Sequence, residues 1–393
     1  MPVSRRSFLT TVGAGSAGLL AAPIINWRGH EALFAFQGQA DRRADRLLAA
    51  RPGMVRLDSN ENPNGPGQRV YDTIVRHLNE SNRYPVKSED DLIAVIAKLH
   101  GVSPANVILG CGSGELLRTA VYAFTSPSKG LVSPEPTFEA PANFAKFLNH
   151  PVVSPKVDAK LRIDLNAMTD AAKGTGLVYL CNSNNPTATV LGKSDVLAYI
   201  DRVNRLSPDT TILVDEAYHE YVEDPSYGTV IPAALANPRV VVTRTFSKVF
   251  GMAGLRVGYA IGQVDTLKKM SSYLLSSNVN QLAIIAATTA ITDTAHIAAE
   301  QKKNAEARAF TRKFFEGAGY TVHAAEGNFF MVDINRDAKQ FKLECVKHNV
   351  AIGRQFAAFP NHARVSIGTM AEMKKAVPVF KQVLAAGVAT SQR

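Results

Sequence analysis

A lysine stands in the mostly apolar, glycine-containing stretch TRTFSKVFGMAGLRVGYAIG, residues 243–262. Burying an ammonium without a partner is costly, so something near Lys248 must use its amine. One use is a Schiff base with a carbonyl. Ser247 precedes it and Arg256 follows eight positions later, and both residue types suit a phosphate. Three further stretches carry polar groups at the ends of apolar runs. GCGSGE, Gly110 to Glu115, is a glycine loop opening a helix, either an anion site made of exposed N–H groups or an ordinary turn. NSNNPT carries Asn185, and VDEAY carries Asp215 and Tyr218. An Asp closing an apolar strand serves as a helix cap or holds a cationic ring nitrogen.

Together these groups match the needs of pyridoxal 5'-phosphate. Its phosphate needs N–H groups and an arginine, and its aldehyde needs an amine. Its pyridine nitrogen needs a carboxylate that keeps it protonated, so the ring can act as an electron sink. Its phenolic oxygen needs hydrogen-bond donors.

The elements that must position these groups follow from periodicity. NVILGCGSGELLRTAVYAF reads strand, glycine loop, helix; GLVYLCNSNNPT and TILVDEAYHEY read strand then loop. SDVLAYIDRVNRL is an amphipathic helix, and RVVVTRTFSK is a buried strand ending at the lysine. LRVGYAIG is another strand, a long helical region spans roughly 264–317, and its second half (293–317) is charged on one face and expected to lie in solvent. Short apolar strands alternating with helices predict an α/β fold with a mainly parallel sheet. In open sheets of this kind, ligand groups gather at the carboxyl ends of the strands. The expected organisation is a segment 1–40, an arm and site loop over 41–75, a large domain over 76–280, and a smaller C-terminal α/β domain over 281–393.

The order of motifs resembles the fold-type I pyridoxal-phosphate aminotransferases of class I/II, of the histidinol-phosphate aminotransferase kind. The resemblance covers residues 52–385. It rests on DSNENPNGP, RYP, GCGSGELL, PTFE, NSNNPT, VDEAYHEY, TFSKVFGMAGLRVGY, GNFF and ARVSIGT. It implies a large three-layer domain plus a smaller one, and amino-group transfer between an amino acid or amine phosphate and a 2-oxo acid. It implies that Lys248 binds the cofactor aldehyde and later acts as the base. Asp215 would pair with the ring nitrogen, Asn185 and Tyr218 would bond the phenolic oxygen, and Phe138 would stack on the ring. Gly112, Ser113, Gly114, Ser247 and Arg256 would surround the phosphate. Tyr84 would reach the cofactor phosphate of a neighbouring subunit, implying a homodimer with shared sites. Arg364 would clamp the substrate carboxylate or phosphate, Arg354 would be a second anion contact, and Asn62 lies in the loop closing over the site. Gly114 stands where the family usually has Asp, Ala188 where it has Gly, and Val86 where it has Asp. A decarboxylase or lyase on the same scaffold, and a binding protein on a retired enzyme fold, are the alternatives.

The first forty residues stand apart. Arg5-Arg6, followed by Phe8-Leu9 and a glycine- and alanine-rich run, resembles a twin-arginine export signal. Its partner would be the twin-arginine translocation machinery, and the destination periplasmic or otherwise exported. The GAGSAG stretch there follows no strand and is followed by no suitably spaced acid, so it is not a dinucleotide site. Without Arg5, Arg6, Arg28 and Glu31 the formal charge of +10 falls to +8. The basic residues are dispersed, which suits anionic ligands and does not argue for nucleic acid. Cys111, Cys181 and Cys345 show neither metal spacing nor a disulfide framework, so no metal is expected.

Overall fold

Twelve strands carry the architecture: β1 (Val55–Leu57), β2 (Val107–Gly110), β3 (Leu131–Val132), β4 (Val152–Val153), β5 (Leu177–Cys181), β6 (Thr211–Asp215), β7 (Val240–Thr245), β8 (Gly258–Ile261), β9 (Thr321–Val322), β10 (Phe329–Asp333), β11 (Val350–Ile352) and β12 (His362–Ser366). They belong to a computed structural model that describes residues 51–390. The twin-arginine and GAGSAG stretches lie outside the described residues. Residues 54–390 lie in one compact unit.

Seven strands make the central sheet in the order β2-β8-β7-β6-β5-β3-β4. β8 runs antiparallel to both neighbours, and every other pairing in this sheet is parallel. All residues of β5, β6, β7 and β8 are buried, as expected for a sheet covered on both faces. The period of two along a strand sorts side chains between two cores. Val178 and Leu180 of β5 join one apolar cluster with Val196, Tyr199, Ile200 and Val203 of the helix Lys193–Leu206. Leu177, Tyr179 and Cys181 join the other, with Leu116, Leu117, Ala120 and Val121 of the helix Ser113–Phe124. The result is a three-layer helix–sheet–helix sandwich.

Two smaller sheets lie later in sequence. β10 is the centre of an antiparallel sheet, β12-β10-β9, and β1 pairs in parallel with β11. The N-terminal segment is thereby tied to the C-terminal third, which brings residues 58–64 within reach of β12.

The helical region expected over 264–317 is three helices, Val264–Ser271, Gln281–Thr292 and Thr294–Gly317. The breaks have a local cause. The side chain of Asn280 accepts from Ala283 N, and that of Asp293 accepts from His296 N, so each caps a new N-terminus. The last of these helices exposes Lys302, Lys303, Glu306, Lys313 and Glu316 on its charged face, as expected, but Glu300 and Arg308 are buried in it. Glu300 accepts from Asn64 Nδ2 and pairs with Lys303, while Arg308 donates to the Gly327 carbonyl and pairs with Glu223. Burial is tolerated because each charge is met.

Candidate active site

Asp215 is the last residue of β6 and 3% exposed. Tyr179 of β5 donates to its Oδ2 at 3.0 Å, and Thr243 of β7 donates to its Oδ1 at 3.1 Å. Burial nevertheless raises its pKa to about 6, the two hydroxyls and the charge of Lys248 acting in the opposite direction. A carboxylate held this dry gains from a cationic partner.

Lys248 follows β7 on a short turn and is half-buried. Its Nζ donates to the Asn60 carbonyl at 2.9 Å and lies 5.2 Å from the centre of the Tyr218 ring. Burial, aided by the nearby charge of Arg364, lowers its pKa to about 8, while Glu61 and Asp215 pull upward. Such an amine is neutral often enough near pH 8 to attack a carbonyl. Tyr218 is buried, packs edge-on against Phe329, and accepts from Asn60 Nδ2 at 3.1 Å.

The glycine loop forms a cradle. Gly112, at φ +74°, caps the helix that begins at Ser113. A Cβ on Gly112 would lie 2.3 Å from Arg256 Nη2, so the guanidinium sits directly over the loop. Gly258 of β8 is equally constrained, since a Cβ there would lie 2.4 Å from Ser113 N. Gly258 pairs with both Gly110 and Thr245, and Thr245 Oγ1 donates to Ser247 Oγ at 2.9 Å. Ser113, Ser247 and Arg256 are therefore brought to one end of the sheet. A Cβ on Gly114 would meet nothing within 4 Å, so the loop has room for a side chain where this chain has none. Ala188, in contrast, adopts φ +57°, a conformation that favours glycine.

Buried side chains join the remaining loops. Thr137 donates to Asn184 Oδ1 at 2.7 Å, and Asn184 Nδ2 donates to the Pro136 carbonyl at 3.0 Å. This fastens the loop bearing Phe138, whose side chain is 39% exposed, to the loop bearing Asn185. Arg364 of β12 donates to Asn185 Oδ1 at 2.8 Å and to the Asp58 carbonyl at 2.6 Å. Its buried Nε has no protein partner. Arg354 and Arg364 share the ring of Phe356, at 4.2 and 5.5 Å, and Arg354 pairs with Glu139 at 2.6 Å. Asn62 Nδ2 donates to the Val249 carbonyl at 2.9 Å, fixing its loop beside Lys248. Tyr84 is 85% exposed.

Five contributors escaped the sequence reading: Asn60, Tyr179, Thr243, Asn328 and Ser366. Tyr179 had left a signal, because a phenol in the run LVYLC needs a buried partner. Asn60 and Ser366 meet across 306 positions, with no local signal.

The model of the family "Aminotransferase class I and II" matches residues 52–380. A histidinol-phosphate aminotransferase of Symbiobacterium thermophilum is 32% identical over 337 residues, covering 85% of this chain and 91% of that protein. The one from Shouchella clausii is 33% identical over 340 residues, covering 84% and 91%. The crystal structure of histidinol-phosphate aminotransferase from Sinorhizobium meliloti in complex with pyridoxal-5'-phosphate matches with a TM-score of 0.78 at 23% identity. It covers 84% of this chain and 90% of that one, a likeness of fold.

Proposed function

Because this chain belongs to the class I and II aminotransferase family, and so is an aminotransferase that works with pyridoxal 5'-phosphate, we propose that its amino donor is an amino acid or an amine phosphate of the histidinol-phosphate type. The acceptor is a 2-oxo acid. The observation that carries this is the pair of guanidinium groups on Phe356, with Arg364 Nε buried and unpartnered. A carboxylate or phosphate would complete that site.

The residues present fit the cofactor. The glycine at 112 leaves the space that Arg256 and the helix N-terminus border, as an anion requires. Asp215, buried with a raised pKa, suits a ring cation. Bound there, pyridoxal phosphate supplies an aldehyde and an electron-withdrawing ring that stabilises negative charge at the substrate α-carbon. Lys248 provides the amine that holds the aldehyde and, once free, the base that moves a proton. Asp215 keeps the ring nitrogen charged, and Asn185 and Tyr218 orient the ring through its oxygen. Arg364 orients the substrate by its anionic end, with Asn185 linking that clamp to the ring.

A half-reaction screen tests the donor. The yellow holoenzyme is mixed with a panel of amino acids and histidinol phosphate, and loss of its visible band is followed. Rapid bleaching by histidinol phosphate or by an amino acid of the panel, with oxo product formed in equal amount, is the expected result. Bleaching by none of the panel, or release of carbon dioxide, would overturn the donor assignment.

Two further proposals concern the whole protein. Tyr84, exposed in one chain, reaches the cofactor phosphate of a second copy. Sedimentation at twice the chain mass, with weaker cofactor retention in Tyr84→Ala, is expected; a monomer with full retention would refute it. Residues 1–40 direct export by the twin-arginine route, with removal of that segment. A reporter fused behind them should leave the cytoplasm, and changing Arg5 and Arg6 to Lys should stop it.

A further inference from the structure

Asn60 touches both Lys248 and Tyr218. It is 2% exposed and sits at φ +53°, a left-handed conformation that Asn tolerates better than most residues. Its carbonyl receives Lys248 Nζ at 2.9 Å and Asn328 Nδ2 at 3.0 Å, using both lone pairs. Its backbone N–H donates to Ser366 Oγ at 2.9 Å, and that hydroxyl donates back to Asn60 Oδ1 at 2.7 Å. With Oδ1 turned to Ser366, Nδ2 faces the Tyr218 hydroxyl at 3.1 Å. A phenol has one proton to give. Since the Tyr218 oxygen accepts from Asn60, that proton stays free for another acceptor.

We propose that Asn60 is a positioning residue for both reacting side chains: its carbonyl receives the Lys248 amine whenever that amine is free, and its amide reserves the Tyr218 proton for the cofactor's phenolic oxygen. Ser366, at the end of β12, holds Asn60 in the orientation that does both. The inference rests on the aminotransferase reading and adds to it a link between the N-terminal loop, β12, the base and the phenol. The other charged groups around the amine are Arg364, Glu61, Asp215 and Arg256, and the variants below leave them intact.

The test compares wild-type holoenzyme with Asn60→Asp and Asn60→Gly by titrating the visible chromophore that Lys248 forms with pyridoxal phosphate. A carboxylate at 60 accepts the phenol's proton and adds negative charge beside the amine. The chromophore midpoint should rise by about one pH unit or more. Asn60→Gly keeps the left-handed turn and the carbonyl but removes the amide, so its midpoint should rise less. In cofactor-free protein, the pH at which Lys248 becomes half-reactive toward an acylating reagent, read by mass spectrometry, should rise in Asn60→Asp and stay in Asn60→Gly. A purely structural role would lower thermal stability and leave the chromophore midpoint of Asn60→Gly, which adds no charge, at its wild-type value. Wild-type midpoints in folded Asn60→Asp overturn the proposal; if that variant does not fold, a wild-type chromophore midpoint in Asn60→Gly does so. A wild-type protein that forms no chromophore overturns the underlying reading as well.

Discussion

Arg364 and Asn185 are bonded directly, guanidinium to side-chain oxygen, at 2.8 Å. One belongs to the antiparallel sheet near the C-terminus and the other to the loop after β5, so the two form one hydrogen-bonded unit. Arg364→Ala should raise KM for carboxylate substrates about ten- to hundredfold, the worth of a charged hydrogen bond. Arg364→Lys should recover only part of this, because an ammonium cannot reach Asn185, Asp58 and a substrate anion together. Steady-state kinetics with both variants checks it, and an unchanged KM would remove Arg364 from the substrate site.

Lys248 loses basicity mainly through burial and then through the positive charge of Arg364, which brings its pKa to about 8. Only the neutral amine captures an aldehyde. Capture of pyridoxal phosphate by cofactor-free protein should therefore quicken about tenfold per pH unit below 8 and level off above it. Arg364→Gln should move that midpoint upward. Stopped-flow absorbance across pH 6–10 reads both, and a rate independent of pH would contradict the assignment.

Asp215 links pH to stability. Its folded pKa, about 6, exceeds that of an unfolded carboxylate. The folded state therefore binds this proton more tightly, and the associated stability is complete below about pH 4 and lost as pH rises through 6. Cofactor-free wild type should lose several degrees of melting temperature over that interval relative to Asp215→Asn. Parallel curves for the two proteins across pH 4–7 would refute the raised pKa.

A methyl group at position 112 cannot coexist with the present place of Arg256. Gly112→Ala also forces a side chain on a φ of +74°. The variant should lose roughly tenfold or more in affinity for the cofactor and for inorganic phosphate, while pyridoxal lacking phosphate still reacts with Lys248. Equilibrium dialysis with the two forms separates these effects.

Glu216 follows Asp215 in sequence but serves the fold. Its carboxylate takes two hydrogen bonds from Arg244, at 3.0 and 2.8 Å, and both residues are buried. It also accepts from Thr229 and from Val230 N. His219, beside them, is kept neutral: burial first, and then Arg244, brings its pKa to about 3. Glu216→Ala should cost roughly 3 kcal/mol in denaturant unfolding, since it leaves the buried guanidinium with Glu220 Oε1, at 3.7 Å, as its remaining ionic partner. Replacing both partners with apolar residues should cost less.

Much of this was legible along the chain because α/β folds put function at strand ends, where apolar runs stop and polar residues begin. VDEAY, NSNNPT, GCGSGE and SK each mark such an end, and each lies at the site loops in space. Helix breaks were harder to read: Asn280 and Asp293 end one helix and start another with a single side-chain bond, which an apolar period hides. Buried charge on the helix Thr294–Gly317 was misjudged because Glu300 and Arg308 find partners far away in sequence.

The amino-acid order by itself determined the class of fold and marked the lysine, the aspartate and the glycine loop as candidates, since local pattern and residue chemistry suffice for these. Only tertiary structure decided what surrounds them. The pairing of β1 with β11 and the proximity of Asn60 to Ser366 depend on loop closure over some three hundred residues. No local propensity encodes such a meeting, yet it supplies the carbonyl that receives the Lys248 amine and the amide that donates to Tyr218.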